Sequence, residues 1–184
     1  MQHAHTIARM SEKLLPEQVD PFRYAEQGLR LDGQVRLADM PRLGTSLYVV
    51  AGSVKVAMQF GRDEQDVAFM QGQLKTMLSL QCQRCLEPYD YEIIADFTLG
   101  IVKTIAEANA LPERYEPVLV KEGMLALREV VEDELILNLP IIPMHAADAC
   151  KVKLPLSDAD WETSKRETPF QVLAALKEKG KAER

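Results

Sequence analysis

Hydrophobic and polar positions alternate most regularly in the middle of the chain. Leu74, Thr76, Leu78, Leu80 and Cys82 share one parity, and beyond Arg84-Cys-Leu-Glu-Pro88 a second run places Tyr89, Tyr91, Ile93, Ala95, Phe97, Leu99 and Ile101 on one parity. A repeat of two belongs to half-buried strands, so two such runs joined by a few turn residues predict a long antiparallel hairpin. Cys82 and Cys85 fall at its tip. Val54, Val56, Met58 and Phe60 predict a further strand, ended by a turn at Gly61-Arg-Asp-Glu64.

Elsewhere the spacing changes. Asp20-Pro21 reads as an N-cap followed by proline at the first helical position, opening a short helix to about Gln27 that Gly28 stops. Over 124–137 the apolar positions Leu125, Leu127, Val130, Val131, Leu135 and Leu137 stand among acids, which suits a helix with one buried face. Leu125/Leu127 and Leu135/Leu137 leave strand open at its two ends. Pro140 and Pro143 terminate the segment. A short strand is expected over 115–120, and Thr168-Pro169 opens a helix over 169–177 with Phe170, Val172, Leu173 and Leu176 inward. The pattern predicts an α+β fold: an antiparallel β-sheet centred on the long hairpin, with a few packed helices. One domain is expected over 1–184, with flexible ends at 1–19 and 178–184.

Composition narrows the function classes. With 184 residues, 47% hydrophobic and 27% charged, the chain is long and apolar enough to bury its own core. It contains no uninterrupted apolar run of bilayer-spanning length. The first ten residues lack the order of a secretory signal, so the reading is cytoplasmic. The net charge of −6 is unevenly spread: residues 87–134 alone carry −8, and the rest is close to neutral. That argues against a uniformly basic nucleic-acid surface and favours a basic protein partner. Glu129, Glu132 and Glu134 are the candidate partner contacts, the alternative being a solvated helix face. Lys177, Lys179, Lys181 and Arg184 are interleaved with Glu178 and Glu183, which reads as a solvated helix end.

All three cysteines and the only histidine outside the N-terminal end form two short pairs, Cys82-Gln-Arg-Cys85 and His145-Ala-Ala-Asp-Ala-Cys150. A two-residue gap lets both sulfurs reach one metal, and a second pair can complete a tetrahedron, giving a Cys3His site. Sulfur donors with one imidazole favour zinc. Two other readings stand beside it: small buried thiols with a solvent-facing His145, or a zinc-dependent or dithiol redox enzyme using Cys82 and Cys85. Four protein ligands leave no open position, so zinc here would be structural. Nothing else suggests catalysis. No glycine-rich phosphate loop or nucleophile elbow is present, and Glu132, Asp133 and Glu134 point in three directions on a helix.

Four stretches together carry a family resemblance: Leu80-Gln-Cys-Gln-Arg-Cys-Leu-Glu-Pro88, Leu111-Pro-Glu-Arg-Tyr-Glu-Pro117, Val131-Glu-Asp-Glu-Leu-Ile-Leu-Asn-Leu-Pro-Ile-Ile-Pro-Met-His145 and Pro169-Phe-Gln-Val-Leu-Ala-Ala-Leu-Lys177. In order and spacing they resemble the YceD family, the large ribosomal RNA subunit accumulation proteins of bacteria, with relatives in plastids. The acidic helix running into Leu139-Pro140 is the most specific piece. The resemblance implies a non-enzymatic factor for the synthesis, processing or stability of large-subunit (23S) rRNA. It supplies no catalytic residues. Its expected partners are the large-subunit rRNA precursor or a basic ribosomal protein, the latter docking on the acidic zone.

Overall fold

The computed structural model describes residues 13–120, 123–146 and 148–152. By its contacts the chain separates into two units, residues 1–146 and 147–184, and the architecture below is that of the first. The expected helix over 169–177 and the expected loose end at 178–184 lie outside the described residues.

In chain order the elements are β1 (Gln18–Val19), α1 (Pro21–Gln27), β2 (Arg30–Arg36), α2 (Pro41–Gly44), β3 (Ser53–Arg62), β4 (Ala68–Gln81), β5 (Pro88–Val102), α3 (Ile105–Asn109), β6 (Glu116–Leu119), β7 (Leu125–Ala126) and α4 (Leu127–Leu137). Five strands form one sheet in the order β2-β3-β4-β5-β6, and β1 pairs with β7 in a separate two-stranded ribbon. The pairings β2–β3, β3–β4 and β4–β5 are antiparallel, whereas β6 lies parallel to β5. This is the α+β class that the sequence pattern predicts, with the long β4–β5 hairpin at its centre.

One parity of each central strand builds the core. Val54, Val56, Met58 and Phe60 of β3 are buried, as are Met70, Leu74, Leu78 and Leu80 of β4. The antiparallel register sets Met70 opposite Leu99, Leu74 opposite Ala95 and Thr76 opposite Ile93, so apolar side chains meet across the strands on one face. Gly72 stands opposite Phe97, and a Cβ there would collide with the Phe97 ring and stand 3.0 Å from the Ala57 carbonyl oxygen. Glycine is what lets that ring lie over the strand.

Two helices cover the apolar face. Asp20 caps α1 by accepting from the Arg23 N–H at 3.0 Å, and Gly28 ends it with φ 59°. Tyr24 of α1 meets Phe60 edge-on at 5.4 Å. Helix α4 buries Leu127, Val130, Val131 and Leu135 in the same core. It starts at Leu127 rather than Met124, because Leu125 and Ala126 pair with Val19 and Gln18 as strand. The opposite sheet face carries polar pairs, among them Lys75–Glu92 at 3.0 Å and Gln73–Asp96 at 2.9 Å.

The segment before residue 20, expected to be loose, is tied down from Lys13 onward. Leu15 donates to the Gln34 carbonyl at 3.1 Å, Gln34 donates to that of Lys13 at 2.9 Å, and Val19 is buried. These bonds cover the β2 edge, which would otherwise offer free N–H and C=O groups to another chain. Among the described residues no helix is long and apolar enough to cross a membrane.

Candidate metal centre

The β4–β5 hairpin places the first cysteine pair by its own backbone bonding. Cys82 donates to the Glu87 carbonyl at 3.0 Å, and Leu86 donates back to the Cys82 carbonyl at 2.8 Å, folding the tip into a tight turn. Leu86 closes it with φ 64°, a left-handed conformation that a side chain disfavours. Cys82 Sγ then lies inside the fold and Cys85 at its border.

The chain leaving α4 brings the histidine. Pro143 accepts from the Gln83 N–H at 2.8 Å, and Arg84 donates to the carbonyl oxygens of His145 and Ala146 at 3.3 and 3.4 Å. His145 packs its ring 5.1 Å from that of Tyr89. Its Nδ1 sits 3.4 Å from Cys85 Sγ, and its backbone N–H donates to Cys82 Sγ at 3.5 Å. The donor atoms of Cys82, Cys85 and His145 lie within 4.8 Å of one another, and Cys150 belongs to the second unit.

That grouping fits a metal. Ligand atoms about 2.3 Å from a tetrahedral zinc stand about 3.8 Å apart, a spacing the cluster accommodates. Its electrostatics also favour thiolate. Burial pushes the Cys82 thiol up, yet N–H groups of Cys85, His145 and Arg84 together with the His145 side chain bring it down to about 5. A thiolate held by amides is ready to ligate, and a sulfur wholly withdrawn from solvent is a poor redox nucleophile. Of the four residues singled out from spacing, Cys82, Cys85 and His145 come together within the first unit as donors that could hold a metal.

The acidic helix, expected to present Glu129, Glu132 and Glu134 outward to a partner or to solvent, buries two of the three. Glu129 is exposed, but Glu132 is only 3% exposed. Its Oε1 accepts from the backbone N–H groups of Arg42 at 2.7 Å and Leu43 at 3.0 Å, and its Oε2 meets the Arg42 guanidinium at 3.1 Å. These are the first-turn N–H groups of α2, whose N-cap, Met40, has no side-chain acceptor. Glu132 thus takes the role of a capping residue from a distant helix and is unavailable to a partner. Asp133 pairs with the same guanidinium. Glu134 is 8% exposed, and burial pushes its carboxyl up, with Glu116 and Asp133 adding to the shift.

A second polar hub escaped sequence reading. Asp63, in the β3–β4 turn, accepts from Gln65 and Val67 N–H groups, from Arg114 and from the Tyr115 hydroxyl at 2.9 Å. The Asp63-Glu-Gln-Asp-Val67 turn is a signal for the local bonds, while nothing local announces Arg114 or Tyr115.

Comparison with known proteins follows the same outline. The sequence profile described as large ribosomal RNA subunit accumulation protein YceD matches residues 70–177. The large ribosomal RNA subunit accumulation protein YceD of Haemophilus influenzae is 37% identical over 174 residues, covering 92% of this chain and 100% of the relative. No solved structure matches the chain significantly. The matched region takes in the hairpin, the parallel strand β6, the acidic helix and all four candidate ligands, and the chain belongs to the YceD family.

Proposed function

We propose that this protein is a ribosome-biogenesis factor of the cytoplasm that supports synthesis, processing or stability of the large-subunit (23S) rRNA by binding, not by catalysis. The observation that carries this reading is the match to a large ribosomal RNA subunit accumulation protein over that relative's entire length. Its partners are the rRNA precursor or a basic ribosomal protein. The excess of −8 over residues 87–134 supports a protein contact over bare phosphate.

One zinc ion, held by Cys82, Cys85, His145 and Cys150, is proposed as the structural element of the fold. Bound there, it would fix the hairpin tip to the chain that follows α4. A full set of four protein donors supports this role, because no position is left for substrate or water. The chain's own part is to present ligands. Amides hold the Cys82 sulfur as thiolate, and Arg84 anchors the carbonyls around His145.

The test is the ratio of large- to small-subunit rRNA in cells lacking the protein. Depletion is expected to lower it, and wild-type protein to restore it. An unchanged ratio would remove the reading. The zinc is tested separately by metal analysis of protein purified without added metal, where the absence of zinc would count against the structural role.

A further inference from the structure

Between α4 and the parallel strand β6 lies a groove of about 380 Å3. Val118, Val130 and Ile136 give it apolar walls, and Glu116, Asp133 and Glu134 bring carboxylates to it. Asp133 is already matched by the Arg42 guanidinium, which also serves Glu132. Glu134 is not: more than nine-tenths of it is buried, and its side chain makes no hydrogen bond or ion pair among the described residues. Glu116, at the exposed start of β6, likewise has no cation among them. No buried side-chain oxygen among the described residues lacks a hydrogen-bond partner, so the unpaired Glu134 carboxylate opens to the solvent of the groove.

We propose that this groove receives an arginine or lysine side chain from a basic segment of a partner protein, its aliphatic stem against Val118, Val130 and Ile136 and its cationic head between Glu116 and Glu134. The shape of the site selects that chemistry. Long basic side chains combine an apolar stem with a charged end, and the groove offers apolar wall and unmatched carboxylate in that arrangement. Two carboxylates suit the forked donors of arginine better than the point charge of lysine. A phosphate backbone is excluded from this site by the same two charges. The inference rests on the ribosome-biogenesis reading for its biological setting, and it moves the partner contact from the outer helix face to Glu134 and Glu116.

The test uses the full-length chain and a short fluorescent peptide in which arginine and leucine alternate, followed by fluorescence anisotropy at low salt. Wild type is expected to bind it, and Glu134→Gln to weaken binding by about tenfold or more, since a buried charge contact is lost. Asp90→Gln, an equal change of net charge about 30 Å along β5, is expected to bind as wild type. Glutamine at 134 keeps the size of the side chain and breaks no hydrogen bond or ion pair among the described residues, so the variant keeps its fold. Equal binding by wild type and Glu134→Gln, or equal weakening in both variants, would overturn the proposal. So would binding only after Lys177, Lys179, Lys181 and Arg184 are changed to alanine, which would assign the groove to the chain's own basic end. Peptide binding decides the groove alone, whereas the rRNA ratio in cells decides the reading beneath it.

Discussion

Glu132 caps a helix to which it does not belong: its Oε1 accepts from the Leu43 N–H at 3.0 Å and from the Arg42 N–H at 2.7 Å. Removing the carboxylate leaves the Arg42 and Leu43 N–H groups at the start of α2 without acceptors, the second of them buried. Glu132→Ala is expected to cost about 3 kcal/mol, and Glu132→Gln about 1 kcal/mol because one oxygen remains to accept. Exposed Glu129→Ala should change stability by less than about 0.5 kcal/mol. Urea denaturation midpoints check this, and a loss at Glu132 no larger than at Glu129 would contradict it.

Glu134 predicts the opposite sign. Burial, Glu116 and Asp133 raise its carboxyl above the ordinary value, so the folded state prefers the protonated form. Its favourable contribution is complete below the unfolded-state pKa and is lost as pH rises through the folded value. Glu134→Gln should therefore melt higher than wild type at neutral pH, with the difference shrinking on acidification. Thermal melts at several pH values read this directly. A variant less stable than wild type at pH 7 would show that the carboxylate has a partner.

Asp63 titrates in the other direction. Partial burial opposes its ionisation, but the Val67 N–H, Arg114, the Tyr115 hydroxyl and the Gln65 N–H hold the carboxyl at about 2. A depressed carboxyl contributes stability that is present above the unfolded pKa and is lost as pH falls through about 2. Asp63→Asn should thus be less stable than wild type at neutral pH, the gap closing as pH approaches 2. A gap constant from pH 7 downward would mean that shape, not charge, matters at this turn.

The metal centre makes a prediction about folding. Protein carrying about one zinc per chain should lose stability on chelation and regain it on adding zinc, because ligand binding to the folded state is folding free energy. Cys85→Ser should lower zinc content and melting temperature together. A metal-free protein that melts as wild type, with Cys82 alkylated rapidly in the folded state, would restore the dithiol reading.

The legible parts of the fold are those whose signal is local. The β4–β5 hairpin was readable because apolar parity persists through two long strands, and α1 because Asp20-Pro21 and Gly28 mark both its ends. Strand β2 was not. In Arg30-Leu-Asp-Gly-Gln-Val-Arg36 the central inward position is Gly33, whose missing side chain is filled by Leu15 from outside the strand. The parallel pairing of β6 depends on a crossover that no turn motif announces. The cysteine spacing points to Cys82, Cys85 and His145, which the first unit brings together, since coordination chemistry constrains residue types directly. The acidic helix misled because Arg42, the partner that buries Glu132, stands ninety residues away.

The proposed function requires that the protein associate with large-subunit rRNA during assembly. Sucrose-gradient sedimentation of cell extract combined with rRNA crosslinking measures this most directly. Wild-type protein is expected to travel with large-subunit precursors, crosslinking to their rRNA or to a basic protein bound on it. Protein confined to the free fraction, crosslinked to neither, would contradict it.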